Sequence, residues 1–191
     1  MSSYDLEQNQ PNRLRREELA CDNDWIVDFL SRLQVGYVAT RWDEQPFITP
    51  TTFWYDPESH AIYFHSAPVG RLRANVERHE QVCFAGSQAG KLLPSNVALE
   101  FSIQYESVVA FGRLRLLRVL DEKRRALYGL IDKYFPEMIP GQQFRPITDL
   151  ELKQTAVYAM VIDSWCGKRN WPEQAEQSSD WPPLFTSSAA S

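Results

Sequence analysis

The run Ile62-Tyr63-Phe64-His65-Ser66-Ala67-Pro68-Val69-Gly70-Arg71-Leu72-Arg73-Ala74-Asn75-Val76 changes character part way along. Ile62 to Phe64 is apolar and aromatic, as a buried strand is. Ser66 to Gly70 is small, polar and turn-forming, and the pattern becomes helical, with a helix read over residues 69–78. A helix start presents free backbone N–H groups, and a guanidinium beside them adds a rigid fork of donors, so this junction favours an anion. Arg71 and Arg73 leave a helix in different directions, and at most one of them reaches the same anion. His65, ending the strand, reads either as part of such a site or as an imidazole satisfied by a neighbouring carbonyl.

The segments before this run read as a helix and a hairpin. Residues 13–33 carry a helical pattern in two segments. In the second, Asp22 or Asn23 can cap the start, and Trp25, Ile26, Phe29, Leu30 and Leu33 recur at helical spacing. Val35 to Thr40 is a strand, Asp43 to Pro46 a turn, and Phe47 to Tyr55 a second strand. Pro50 has no N–H for a ladder, which places that second strand at a sheet edge or bulge. After the central run, Gln81 to Ala85 forms a short strand, and residues 86–99, with Gly86, Gly90 and Pro94, read mostly as loop. Phe101 to Leu120 is the longest strand-like region, with Gly112 marking a bend or bulge. Asp121 is the natural N-cap of a helix running to about Tyr134, residues 136–148 are irregular, Glu151-Leu152 a helical turn, and Thr155 to Ile162 the last strand. About six sequential strands with inserted helices make a mainly β protein, and they favour a closed antiparallel barrel over a parallel α/β sheet.

Composition narrows the class further. At 191 residues, 43% hydrophobic and 24% charged, the chain fits one soluble domain with tails. We divide it into an arm over residues 1–12, a domain over 13–170 and a polar tail over 171–191. A net charge of −5 without a long basic run argues against a nucleic-acid partner. Arg13, Arg15 and Arg16 sit beside Glu17 and Glu18 and read as a solvated face. Cys21, Cys83 and Cys166 are widely spaced and odd in number, which fits reduced thiols in the cytoplasm. No apolar stretch approaches the roughly 18 residues that span a bilayer, so no membrane partner is expected. His60, His65 and His79 form no metal-ligand set, and no nucleophile elbow, GxGxxG or Walker sequence is present, which leaves catalytic residues unassigned.

His65-Ser66-Ala67-Pro68-Val69-Gly70-Arg71, about ten residues after Tyr55-Asp56, resembles the core motif of flavin-nucleotide-binding proteins of the pyridoxamine 5′-phosphate oxidase-like superfamily. The branch it is most similar to is that of the nitroimidazole-resistance proteins. Tyr37-Val38-Ala39-Thr40 with Pro46 and Pro50 resembles that family's first hairpin. Tyr105-Glu106-Ser107-Val108-Val109-Ala110-Phe111-Gly112-Arg113 resembles its central strand, and Thr155-Ala156-Val157-Tyr158 with Trp165-Cys166-Gly167-Lys168-Arg169 its closing one. Together these pieces cover roughly residues 15–170.

The resemblance implies a six-stranded antiparallel split β-barrel that forms a homodimer, with FMN in clefts at the subunit interface and a small molecule as substrate. It places Ile48, Thr49, Pro50 and Thr51 beside the isoalloxazine, and Phe64, His65 and Ser66 along the ring and ribityl chain. Arg71 falls on the phosphate, Tyr105 and Ser107 on the far wall, and Trp165 and Lys168 on a closing edge from the partner chain. The function implied is that of a flavin-dependent oxidoreductase, with a non-catalytic flavin- or haem-binding module as the alternative. Two positions depart from the family pattern. Leu72 stands where Gly-Arg-Lys has its lysine, which removes a phosphate cation, and Glu106 stands where many relatives carry arginine, which brings a negative charge toward the presumed site.

Overall fold

A computed structural model of the chain describes residue 8 and residues 11–184. Of the expected arm only Gln8, Pro11 and Asn12 are among them, and residues 185–191 of the tail lie outside them. In chain order the elements are β1 (Ala20–Cys21), α1 (Asn23–Arg32), β2 (Gly36–Trp42), β3 (Gln45–Thr51), β4 (Trp54–Asp56) and β5 (Ala61–Ser66). Then come α2 (Arg71–Arg78), β6 (Gln81–Leu93), β7 (Ser102–Leu116), α3 (Leu120–Tyr134), α4 (Asp149–Gln154) and β8 (Ala156–Asn170).

All strands join one antiparallel sheet in the order β3-β2-β6-β7-β8-β5-β4, with β1 also on β8. The mainly β fold with inserted helices is as read from the sequence, but there are eight strands rather than six, and the sheet is split, with β3 and β4 as free edges. The extra strands have identifiable causes. The expected strand 47–55 breaks at Thr52-Phe53 because the Tyr134 hydroxyl accepts from Phe53 N–H at 3.0 Å and stands 3.1 Å from its carbonyl, taking the place of a ladder partner. The other addition is the two-residue β1 against Lys168 and Gly167. Although β6 follows β5 in the chain, it pairs with β2, so α2 carries the chain across the end of the barrel.

Pro50 sits in β3, an edge strand, where a missing donor costs no ladder bond on the outer side. Residues 86–93, expected as loop, continue β6 past a bulge between Ala89 and Leu92. Their glycines mark close approach rather than turns: a Cβ on Gly86 would overlap the Leu33 side chain, and one on Gly90 would overlap Trp171. Gly112 lies at a bulge, where Phe111 pairs with Ser164 and Gly112 with Ile162, leaving Asp163 as the extra residue.

Asp22 caps α1 by accepting from Trp25 N–H at 2.8 Å. The segment before it makes only a 3-10 turn over Glu17–Leu19, too polar to bury a helical stripe. α3 begins one residue before the expected cap, so Val119 precedes it without a side-chain cap, and Asp121 instead complements the dipole from the first turn. The expected helical turn at Glu151 is α4, closed by a capping box between Thr148 and Glu151.

The core has two parts, set by strand alternation. Ile62 and Phe64 of β5 face inward with Phe29, Leu30, Val38, Phe84 and Tyr158, where α1 plugs the barrel. Ala61 and Tyr63 face outward against Ala126 and Leu127 of α3. α2 turns Leu72, Asn75 and Val76 inward, and Asn75 donates to the Thr40 hydroxyl at 3.0 Å. The described part of the tail is anchored over a long sequence distance: Asn96 donates to the Ser178 carbonyl at 2.9 Å, and Ser95 donates to that of Glu176 at 2.6 Å.

Lys133 joins α3 to the end of α1, donating to the Leu30 carbonyl at 2.9 Å with its ammonium 3.5 Å from the Phe53 ring centre. Burial pulls its pKa down from the ordinary 10.5 to about 7. Between those values the folded chain holds fewer protons here than the unfolded one. Stability therefore rises with pH through that window, and the full cost stands below it. Lys133 is only half-buried, so we expect a gain of only about 1 kcal/mol between pH 7 and 9. Urea unfolding of the parent chain should show that rise, and the Lys133→Met variant should lack it.

Candidate functional site

The Gly70–Arg71 junction keeps the features read from the sequence. Gly70, at φ +142°, precedes α2 without a side-chain cap, so among the described residues no capping side chain takes up the first-turn N–H groups. Among the described residues Arg71 makes no ion pair or hydrogen bond. Its guanidinium lies 5.2 Å from the Trp42 ring centre and 5.4 Å from that of Phe47. Two aromatic faces thus hold a cation in place while leaving its donors open. Arg73, the other candidate, is occupied by Glu77 within the same helix. Leu72 is buried in the core, so its position points away from any anion that Arg71 could hold.

Cross-strand pairing sorts the remaining candidates by face, since directly opposed residues share one. Thr49 is opposite the buried Val38 and lies on the inner face, whereas Ile48 opposite Ala39 and Pro50 opposite Tyr37 lie on the outer one. The Thr51 hydroxyl donates to the Thr52 carbonyl at 2.9 Å. Tyr105 and Ser107 alternate with buried residues of β7 and face outward; Ser107 is opposite Lys168, whose ammonium stands 5.2 Å from the Tyr105 ring centre. Ile48, Pro50, Tyr105, Ser107 and Lys168 thus share the outer face of the β3-β2-β6-β7-β8 half of the sheet. Cys83, Ala85, Val109 and Cys166 lie between them, and burial pushes both thiols above their ordinary pKa. Ile48 remains 69% exposed.

Four expected site residues lie elsewhere. Phe64 is fully buried and stacked on Tyr158, so only its backbone is free to meet a ligand. Ser66 faces the same way, 3.2 Å from the Tyr158 hydroxyl, and its own hydroxyl donates to the Ala67 carbonyl at 2.9 Å. His65 alternates to the α3 side of β5, opposite Val157. Trp165 turns toward α1: its indole N–H donates to Asn23 Oδ1 at 2.9 Å, and its ring packs on His60 and Tyr55.

Glu106 does not bring its charge to the outer face. It is buried on the α1 side, where Arg32 donates to one oxygen at 2.8 Å and Arg169 to the other at 3.0 Å. Trp42 and Phe47, which hold Arg71, were not singled out in the sequence. Their signal was present as aromatic residues closing the first hairpin on the face of Thr40.

This arrangement has known counterparts. The model of the pyridoxamine 5′-phosphate oxidase family matches residues 22–169, and the chain belongs to that family. Among curated proteins no sequence match is found. The flavocytochrome Anf3 of Azotobacter vinelandii is 25% identical, with a TM-score of 0.77 over 91% of this chain and 78% of that one. A FAD- and haem-binding protein of Mycobacterium smegmatis is 23% identical, with a TM-score of 0.69 over 81% of this chain and 75% of that one. A candidate 5-nitroimidazole antibiotic resistance protein of Bacteroides thetaiotaomicron is 22% identical, with a TM-score of 0.65 over 78% of this chain and 86% of that one. These structures share the fold. Among the described residues no helix is long and apolar enough to cross a membrane.

Proposed function

We propose that this chain binds a flavin nucleotide, FMN, along the β3 edge and acts as an oxidoreductase on a small molecule. The observation that carries the reading is Arg71, a guanidinium held by two aromatic rings beside an uncapped helix start and, among the described residues, left without a carboxylate. That donor set fits a phosphate dianion. The open edge of β3 supplies backbone groups at Ile48 to Thr51, and Tyr105, Ser107 and Lys168 supply an aromatic wall, a hydroxyl and a cation. A bound flavin carries the electrons in such a protein, while the chain's own residues bind, orient and exclude water.

A homodimer completes the site in this reading. Support comes from the outer face itself, where Tyr37, Ile48, Ala85 and Val109 form an apolar surface over which no described helix packs. Purified protein should show the flavin absorption bands, and the released cofactor should chromatograph as FMN. Light scattering should give twice the chain mass. Val109→Arg should yield monomers and weaken flavin binding at least about tenfold, because a charge replaces apolar contact at the seam. A colourless protein that takes up neither FMN nor FAD would overturn the reading. A flavin that neither NADH nor NADPH reduces would favour a carrier over an enzyme.

A second reading adds haem to the flavin. It is supported by the likeness to the flavocytochrome over most of this chain and by an apolar groove beside α3, away from the β3 edge.

A further inference from the structure

The Thr40 hydroxyl and the Asn75 amide meet in the interior, and each belongs to an element that carries part of the anion site. Asn75 is 0% exposed and Thr40 5%, and the amide donates to the hydroxyl at 3.0 Å. Thr40 lies opposite Phe47 in the β2–β3 hairpin and two residues before Trp42, on the same face. Those are the two rings that hold the Arg71 guanidinium. Asn75 stands four residues after Arg71 on α2, one turn along the same side of the helix. A buried hydrogen bond thus joins the helix that carries the guanidinium to the hairpin that carries its rings.

We infer that the Asn75–Thr40 bond positions the phosphate site: it sets α2 against the hairpin so that Arg71 and the first-turn N–H groups converge on one anion. The inference rests on the flavin reading above. Other ties between the two elements do not fix that alignment. Leu72 and Val76 are buried beside Asn75, but apolar contact is non-directional and tolerates a slide or a turn of the helix. Arg78 pairs with Asp43 at 2.6 Å, yet both side chains are about half exposed, where an ion pair holds weakly. The hydrogen bond has a required direction and is shielded from water. Asn75 also fills the core at a cost. Its Oδ1 has no hydrogen-bond partner among the described residues, and a buried acceptor left unmet lowers stability as an apolar side chain would not. Packing alone would be served better by an apolar residue, whereas only a polar one can reach the Thr40 hydroxyl and fix the alignment.

Binding of FMN and of riboflavin, which has the same ring and ribityl chain without the phosphate, tests this in the full chain, both read from the quenching of flavin fluorescence. Thr40→Val keeps the shape of the side chain without its hydroxyl. It should weaken FMN binding about five- to tenfold, less than Arg71→Ala, and leave riboflavin binding unchanged. Thr40→Ser keeps the bond and should bind FMN as the parent does. Thr40→Val combined with Asn75→Leu removes both polar partners, so its urea midpoint should recover from that of Thr40→Val alone while FMN binding stays weak. A merely structural bond gives a different result: affinity recovers with stability, or FMN and riboflavin weaken by the same factor. Either outcome, or Thr40→Val binding FMN as tightly as the parent, would overturn the inference and leave the flavin reading standing. A parent chain that binds riboflavin as tightly as FMN would overturn it together with the phosphate role of Arg71. One that binds neither would overturn the flavin reading as well.

Discussion

Replacing Gly112 by alanine should destabilise this protein by at least about 3 kcal/mol in urea unfolding, far more than a methyl group added at an open glycine. A Cβ at this position would overlap the carbonyl oxygen of Val161 and crowd Ile162 Cα. These are backbone atoms of β8, and they have no rotamer into which to retreat. The position is also where the register between β7 and β8 changes, so moving β8 aside would undo the bulge that seats Asp163. Gly141 makes the contrast: it has φ +83°, but a Cβ there would meet nothing within 4 Å, so alanine carries only backbone strain. That strain costs about 1 kcal/mol. Equilibrium unfolding of both variants separates overlap from strain, and equal losses would refute the packing account of Gly112.

Gly112 was legible as a bend because a lone glycine within a β-branched run is the usual mark of one. Asp22 as a helix cap and Pro50 as an edge residue were legible for equally local reasons. What escaped the sequence depended on distant partners. Gly86 and Gly90 look like loop punctuation until Leu33 and Trp171 are seen to occupy the space a side chain would need. The break in the 47–55 strand is made by Tyr134, 81 residues away. At the site, the run from His65 to Arg71 reads as one unit, yet alternation along β5 sends His65 and Ser66 to opposite faces. Glu106 looked like an intrusion on the anion site, and only Arg32, 74 residues earlier, shows it to be a buried and paired group on the other face.

Arg71→Ala should weaken FMN binding by about 1.5–3 kcal/mol, the range for a hydrogen bond to a charged group. In dissociation constant that is roughly 10- to 150-fold, read from the quenching of flavin fluorescence. The side chain is exposed and makes no ion pair among the described residues, so its loss should leave the unfolding midpoint nearly unchanged. Its contacts with Trp42 and Phe47 hold the guanidinium in place without using its N–H donors. Arg71→Lys keeps the charge but loses the planar fork and should fall between parent and alanine. The neighbouring position shows why the arginine works alone. Leu72 is 8% exposed and packed in the core, so Leu72→Lys should cost stability, about 2 kcal/mol, rather than add a second phosphate ligand. If Arg71→Ala bound FMN as tightly as the parent, the phosphate would have to lie elsewhere. If Leu72→Lys tightened binding without loss of stability, α2 would have to present that side chain to the ligand and not to the core.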